Sequence, residues 1–134
     1  MSGPETRFTG RVHAHLPAGR HDPYYMKNNN LYTSGIWDCW YSGHHADLWI
    51  EYKFEPLPLR DSTIVPIDLS ALQLDWGLNR HEEGRNLAVV IGSPMGGVIF
   101  VHREWEHPLT KAEFMKRILT PREIAEFIIG VTQG

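Results

Sequence analysis

The chain has 134 residues, a formal net charge of -3, and 42% hydrophobic against 22% charged residues. That length suits one domain with its own core, and the balance excludes a disordered chain. A lone cysteine, Cys39, excludes an internal disulfide framework, no apolar run reaches the ~20 residues of a membrane span, and the mild negative charge argues against nonspecific coating of nucleic acid. A cytoplasmic protein with no membrane partner is expected. Eight histidines and five tryptophans are many for this length and raise the expectation of a site without placing it.

The elements follow from punctuation. Ser2, Pro4 and Glu5 read as a capping box opening a helix, with Phe8, Val12 and Leu16 at helical spacing and Pro17 and Gly19 ending it. Residues 24–32 are short and β-leaning, interrupted by Asn28, Asn29 and Asn30. Ile36 to Tyr41 and Leu48 to Phe54 are rich in β-branched and aromatic residues and predict a hairpin with its tip at His44-His45. Residues 55–68, with Pro56, Pro58 and Pro66, form a long loop, expected as an ordered flap rather than a spacer. Ser70 and Gln73 make a capping box stapled by Leu69 and Leu74, and that helix runs to about Glu83, with Gly84 past its end. Leu87 to Ile91 and Val98 to Val101 are strands joined by Ser93-Pro94-Met95-Gly96-Gly97. Thr110 with Glu113, and Thr120 with Glu123, open two further helices, the last ending near Gly130. Interspersed strands and helices predict an α/β domain with a mixed sheet covered by helices. Its core spans about 24–102, and a helical extension covers about 109–130.

Parity along the second hairpin strand puts Leu48, Ile50, Tyr52 and Phe54 on one face and Trp49, Glu51 and Lys53 on the other. With the tip at His44-His45, Asp38 falls opposite Glu51 and Trp40 opposite Trp49. Directly opposed Cβ atoms lie about 4.5–5.5 Å apart. Two bare carboxylates there repel, by roughly 4 kcal/mol at 4 Å and an effective dielectric near 20, so a cation is expected between them. Mg²⁺ suits one or two carboxylates and retained water. Lys53 is placed to orient and help deprotonate a bound water.

Gly35-Ile36-Trp37-Asp38, twelve intervening residues, then Glu51-Tyr52-Lys53 resembles the PD-(D/E)xK nuclease signature, closest to the small virus-type replication-repair nucleases (VRR-NUC) and phage endonucleases. Leu69 to Trp76 resembles that family's helix opening with its Gln, and Gly84 to Ile91 followed by Gly97 to Phe100 its closing hairpin. The resemblance covers about residues 24–102 and departs at Trp37, where the family usually has Pro. It implies a restriction-endonuclease-like fold and divalent-metal-dependent hydrolysis of DNA. Asp38, Glu51 and the backbone carbonyl of Tyr52 would hold Mg²⁺, with Mn²⁺ as substitute. Lys53 and Gln73 would complete the catalytic set. DNA is the implied partner, a homodimer is compatible, and phage or mobile-element DNA processing is the implied setting.

Structural readings stand beside these. Asp38, Glu51 and Lys53 also fit a solvated strand face with an ion pair. Gln73 is explained by its cap, a role compatible with a site. The cluster of His44, His45 and Asp47 reads as a solvated turn, because adjacent side chains on a tight tip diverge. Asp47 lies about 13 Å along the strand from Glu51, too far to share one metal. Arg7 and Arg11, at i,i+4, and Lys27 fit a DNA groove or a plain solvated face. The five tryptophans read as core or edge packing, and Cys39 as buried and inert. The rival functions are a branched-DNA (Holliday-junction) resolvase, a nuclease-fold protein used only for binding or inhibition, and a His-rich metal binder.

Overall fold

A computed structural model of the chain describes residues 3–17, 23–28 and 35–134. Among these the elements run α1 (Pro4–His13), β1 (Tyr24–Lys27), β2 (Cys39–Ser42), β3 (Asp47–Phe54), α2 (Ala71–Glu82), β4 (Leu87–Ser93), β5 (Gly96–Val101), a 3-10 turn (Glu104–Glu106), α3 (Lys111–Lys116) and α4 (Pro121–Gln133). The strands form one sheet in the order β1-β2-β3-β4-β5. β3 and β4 run parallel and the other neighbours antiparallel. Parallel pairing needs a long crossover, and α2 lies within it. β4 is buried along its whole length, which is why it reads as a continuous apolar run.

The sheet has an apolar core on each face. On one side Leu48, Ile50 and Tyr52 pack with Phe8 and Val12 of α1 and with Ile124, Ala125 and Ile128 of α4. On the other, Trp37, Val89, Ile91, Val98, Phe100, Trp105 and Phe114 form a second cluster, joined at its rim by Trp49 and Trp76. The hairpin register is the expected one, with Cys39 opposite Ile50 and Trp40 opposite Trp49.

Several boundaries differ from the sequence reading. Gly3, not Ser2, is the N-cap of α1, with no side-chain cap, and Ser2 lies outside the described residues, as do Gly19, Asn29, Asn30 and Tyr32. α1 closes at His13 rather than Leu16, because the Pro17 ring would meet the carbonyl of residue 13 and Pro disfavours helix at the residue before it. β2 begins at Cys39 rather than Ile36. Gly35 takes φ +92 with its α-carbon against α2, where a Cβ would come 2.7 Å from the Leu72 carbonyl oxygen, so the chain bends there instead of extending. All three later capping boxes form. α4 continues past Gly130 to Gln133 because the hairpin tip caps it: the His45 and Ala46 N–H groups donate to the Thr132 carbonyl at 2.8 and 3.2 Å. The loop 55–68 is pinned to the start of α3 by Val65 N to Leu109 O (2.8 Å), Lys111 N to Thr63 O (2.8 Å) and Ala112 N to Asp61 O (3.0 Å).

Candidate active site

Glu51 is the centre of the arrangement. It sits in β3 with only 4% of its surface exposed. Its Oε1 accepts the backbone N–H of Asp38 at 3.0 Å. Its Oε2 accepts Gln73 Nε2 at 3.1 Å and lies 3.5 Å from Lys53 Nζ. Strand parity and hairpin register thus bring together Asp38, Glu51 and Lys53, and the docking of α2 adds Gln73.

Gln73 closes its expected cap and also reaches Glu51. Its Oε1 accepts the Ser70 N–H at 3.0 Å, closing the cap, while its amide nitrogen reaches Glu51. One side chain thus ties the start of α2 to β3. Trp37 adds a second tie. It is fully buried, its indole N–H donates to the Gln73 carbonyl at 2.9 Å, and its ring packs edge-on against Trp105 with centroids 5.2 Å apart. A bulky buried anchor thus stands where the resembling family has a proline.

The electrostatics are those of carboxylates short of countercharge. Burial drives Glu51 up to about 7, Lys53 pulls it back, and the charges of Asp38 and Glu5 push it further up. Asp38 is also raised, chiefly by burial, against the pull of Lys27 and Lys53. Glu5, in the first turn of α1, is raised by burial and then by Asp38. Glu5 is the residue the sequence reading missed. Its sequence position marks it only as a helix-cap residue, and the docking of α1 on the sheet brings it towards Asp38. Lys27, in β1 opposite Cys39, joins the same cluster. These five groups carry three carboxylates and two ammoniums, a net of -1 when all are ionised. A divalent cation would turn that to +1, matched to one phosphodiester.

Among the described residues no three His, Cys, Asp or Glu side chains gather tightly enough to enclose a metal. The donor set is an open one of carboxylate oxygens, which fits a hard cation that keeps water. Cys39 is buried and its thiol, pushed up to about 12 by burial and by Asp38, stays protonated. Tyr52 is buried, with its hydroxyl 2.7 Å from that of Tyr41 on the face away from Glu51.

The other candidates lie elsewhere. Asp47 accepts the Trp40 indole N–H at 3.0 Å at the far end of the hairpin. The backbone N–H of His44 donates to Gln133 Oε1 at 3.1 Å, so the tip serves as the seat of α4. Arg7 and Arg11 are exposed on α1.

The structure matches that of the Holliday junction resolvase Hjc from the archaeal hyperthermophile Archaeoglobus fulgidus, with a TM-score of 0.55, over 90% of this chain and 99% of that one, at 14% identity. The fold is restriction-endonuclease-like. No family model and no curated protein matches the sequence. No described helix is long and apolar enough to cross a membrane.

Proposed function

We propose that the chain is a metal-dependent DNA endonuclease that hydrolyses phosphodiester bonds. The observation that carries this reading is the buried Glu51, hydrogen-bonded to Asp38 N and Gln73 and paired with Lys53, in a cluster whose carboxylates outnumber its ammoniums. Asp38, Glu51 and the backbone carbonyl of Tyr52 are the ligands proposed for Mg²⁺, with Mn²⁺ as substitute. When bound, such a cation polarises a phosphate oxygen and lowers the pKa of a bound water.

The chain's own residues do the rest. The Asp38 N–H and Gln73 Nε2 fix the Glu51 carboxylate, so no reorganisation is needed as charge develops. The Lys53 ammonium lies on the same side and stabilises negative charge on the attacking water and the phosphorane-like transition state. Water oxygen bonds to phosphorus as its proton passes to solvent, the bond to the leaving oxygen breaks, and that oxygen takes a proton from a second solvent water to leave as a hydroxyl. Glu5 adds a third carboxylate that strengthens the field for a cation. The sequence resemblance supports phage or mobile-element DNA processing and kinship with VRR-NUC nucleases.

A branched-DNA resolvase acting as a homodimer is the second reading, favoured by the fold shared with Hjc. Incubation of the purified protein with branched, duplex and single-stranded DNA, in Mg²⁺, Mn²⁺ or chelator, tests both. Metal-dependent cutting of any form is expected. Selective cutting of the branched form would favour the resolvase, and no cutting of any form would leave a binding protein.

A further inference from the structure

A groove of about 620 Å³ runs beside α1, lined by Pro4, Arg7, Gly10, Arg11, Ala14 and, across from them, Phe54 and Pro94. Arg7, Gly10, Arg11 and Ala14 stand at i, i+3, i+4 and i+7, so they form one stripe along the helix. The opposite stripe, with Phe8 and Val12, is buried in the core. One end of the groove opens at Pro4, next to Glu5, whose carboxyl feels the charges of Asp38 and Lys53. Phe54, in its far wall, faces away from Lys53, so the groove borders the candidate active site through Glu5. Among the described residues no acidic side chain lines it, and the two arginines are exposed while Arg11 is steadied over the Phe8 ring at 5.6 Å.

Gly10 supplies an independent observation. A glycine inside a helix is unfavourable relative to alanine. Here the fold does not require it, since an added Cβ would meet nothing within 4 Å and its φ is not in the left-handed region. What its missing side chain does is keep the floor of the groove open between the two guanidiniums.

We propose that this groove holds the sugar–phosphate backbone of one DNA strand flanking the scissile phosphate. The proposal rests on the nuclease reading and adds which side of the site the strand leaves by and how far it is held. From Pro4 to Ala14 the groove runs ten residue steps, about 15 Å at 1.5 Å per residue, the axial rise of about four nucleotides of a B-form strand at 3.4 Å each. Arg7 and Arg11 pair with phosphates along it, and Phe54 with its proline neighbours gives an apolar wall for the sugars. These contacts go to the backbone, so they position the strand without reading its sequence.

The test is binding of fluorescein-labelled DNA by the full chain in Ca²⁺ or chelator, from 50 to 200 mM salt. Arg7→Ala and Arg11→Ala should each reduce the slope of log affinity against log salt by about 1 and weaken binding equally across sequences. Gly10→Leu, and more mildly Gly10→Ala, should weaken binding severalfold or more while the melting temperature stays level or rises, a pairing that a merely structural glycine would not give. Trimming the flanking strand should leave binding unchanged until fewer than about four nucleotides remain, and should weaken it below that length on one side only. Arg85→Ala, at the other end of the sheet, should bind like wild type. Unchanged slopes for both groove arginines, normal binding by Gly10→Leu, or an equal loss in Arg85→Ala would overturn the groove. Wild-type cutting together with any of these results would leave the nuclease reading standing. A wild type that neither binds nor cuts DNA would end both.

Discussion

The two ends of the β2–β3 hairpin each carry an aspartate within a polar cluster and do different work. At the closed end Asp47, Trp40, His44 and His45 lie within one turn. There Asp47 accepts the Trp40 indole N–H, and the N–H groups of His44 and His45 are taken by the end of α4. At the open end Asp38, Glu51 and Lys53 are joined by Gln73 and Glu5 from two different helices. There burial outruns the available countercharge, and Glu51 is held near 7. Composition alone does not separate a structural polar cluster from a reactive one. What separates them is whether the polar groups are satisfied by the fold or left wanting a charge the chain does not supply.

The largest expected effect sits at the open end. Lys53→Ala and Glu51→Gln should each lower DNA cleavage by at least two orders of magnitude, since several kcal/mol of charge stabilisation are removed and about 1.4 kcal/mol is tenfold in rate. Asp47→Asn should cut at the wild-type rate. A single-turnover assay on all three variants checks the contrast, and equal losses at both ends would erase it.

A smaller effect concerns stability and pH. Glu51 rises from an ordinary 4.5 to about 7 on folding. A raised carboxyl favours its protonated form in the folded state, so its contribution is full below about 4.5 and is lost as pH climbs through 7. At pH 8 the metal-free wild type therefore carries a penalty of up to about 3 kcal/mol, from ~2.5 pH units at 1.36 kcal/mol each. Glu51→Gln should melt higher than wild type at pH 8 in chelator, and the gap should close towards pH 4.5. Thermal melts across that range read it directly, and a variant that melts lower at pH 8 would mean the ion pair with Lys53 outweighs burial.

Smaller still, Asp47→Ala should cost about 1 kcal/mol through its lost bond to Trp40, with cleavage unchanged. His44→Ala, at an exposed side chain, should stay within about 0.5 kcal/mol. Denaturant melts measure both, and a loss of cleavage in either would move the reactive end to the tip.

Much of this was legible in the sequence because it depends on local rules. Strand parity with a tip at His44-His45 sets the register that brings Asp38 to Glu51. The boxes at Ser70, Thr110 and Thr120 need only three residues to specify them. Glu5 was not legible, because its place depends on the docking of α1 against β3 and α4, a tertiary event that its first-turn position does not encode. Trp37 read as a departure from a motif, whereas packing against Trp105 and a bond to the Gln73 carbonyl give it a positioning role. Gly130 marks no helix end in α4 because the hairpin tip, far away in sequence, supplies the cap at Thr132.

The most direct test of the central claim is a calorimetric titration of Mn²⁺ into wild type, Glu51→Gln and Asp47→Asn at pH 7, in two buffers of different ionisation enthalpy. Wild type and Asp47→Asn should bind the ion and release a fraction of a proton, as Glu51 is driven to its ionised form. Glu51→Gln should lose both the binding and the proton. Binding that survives in Glu51→Gln but disappears in Asp47→Asn would put the metal at the closed end of the hairpin and contradict the account.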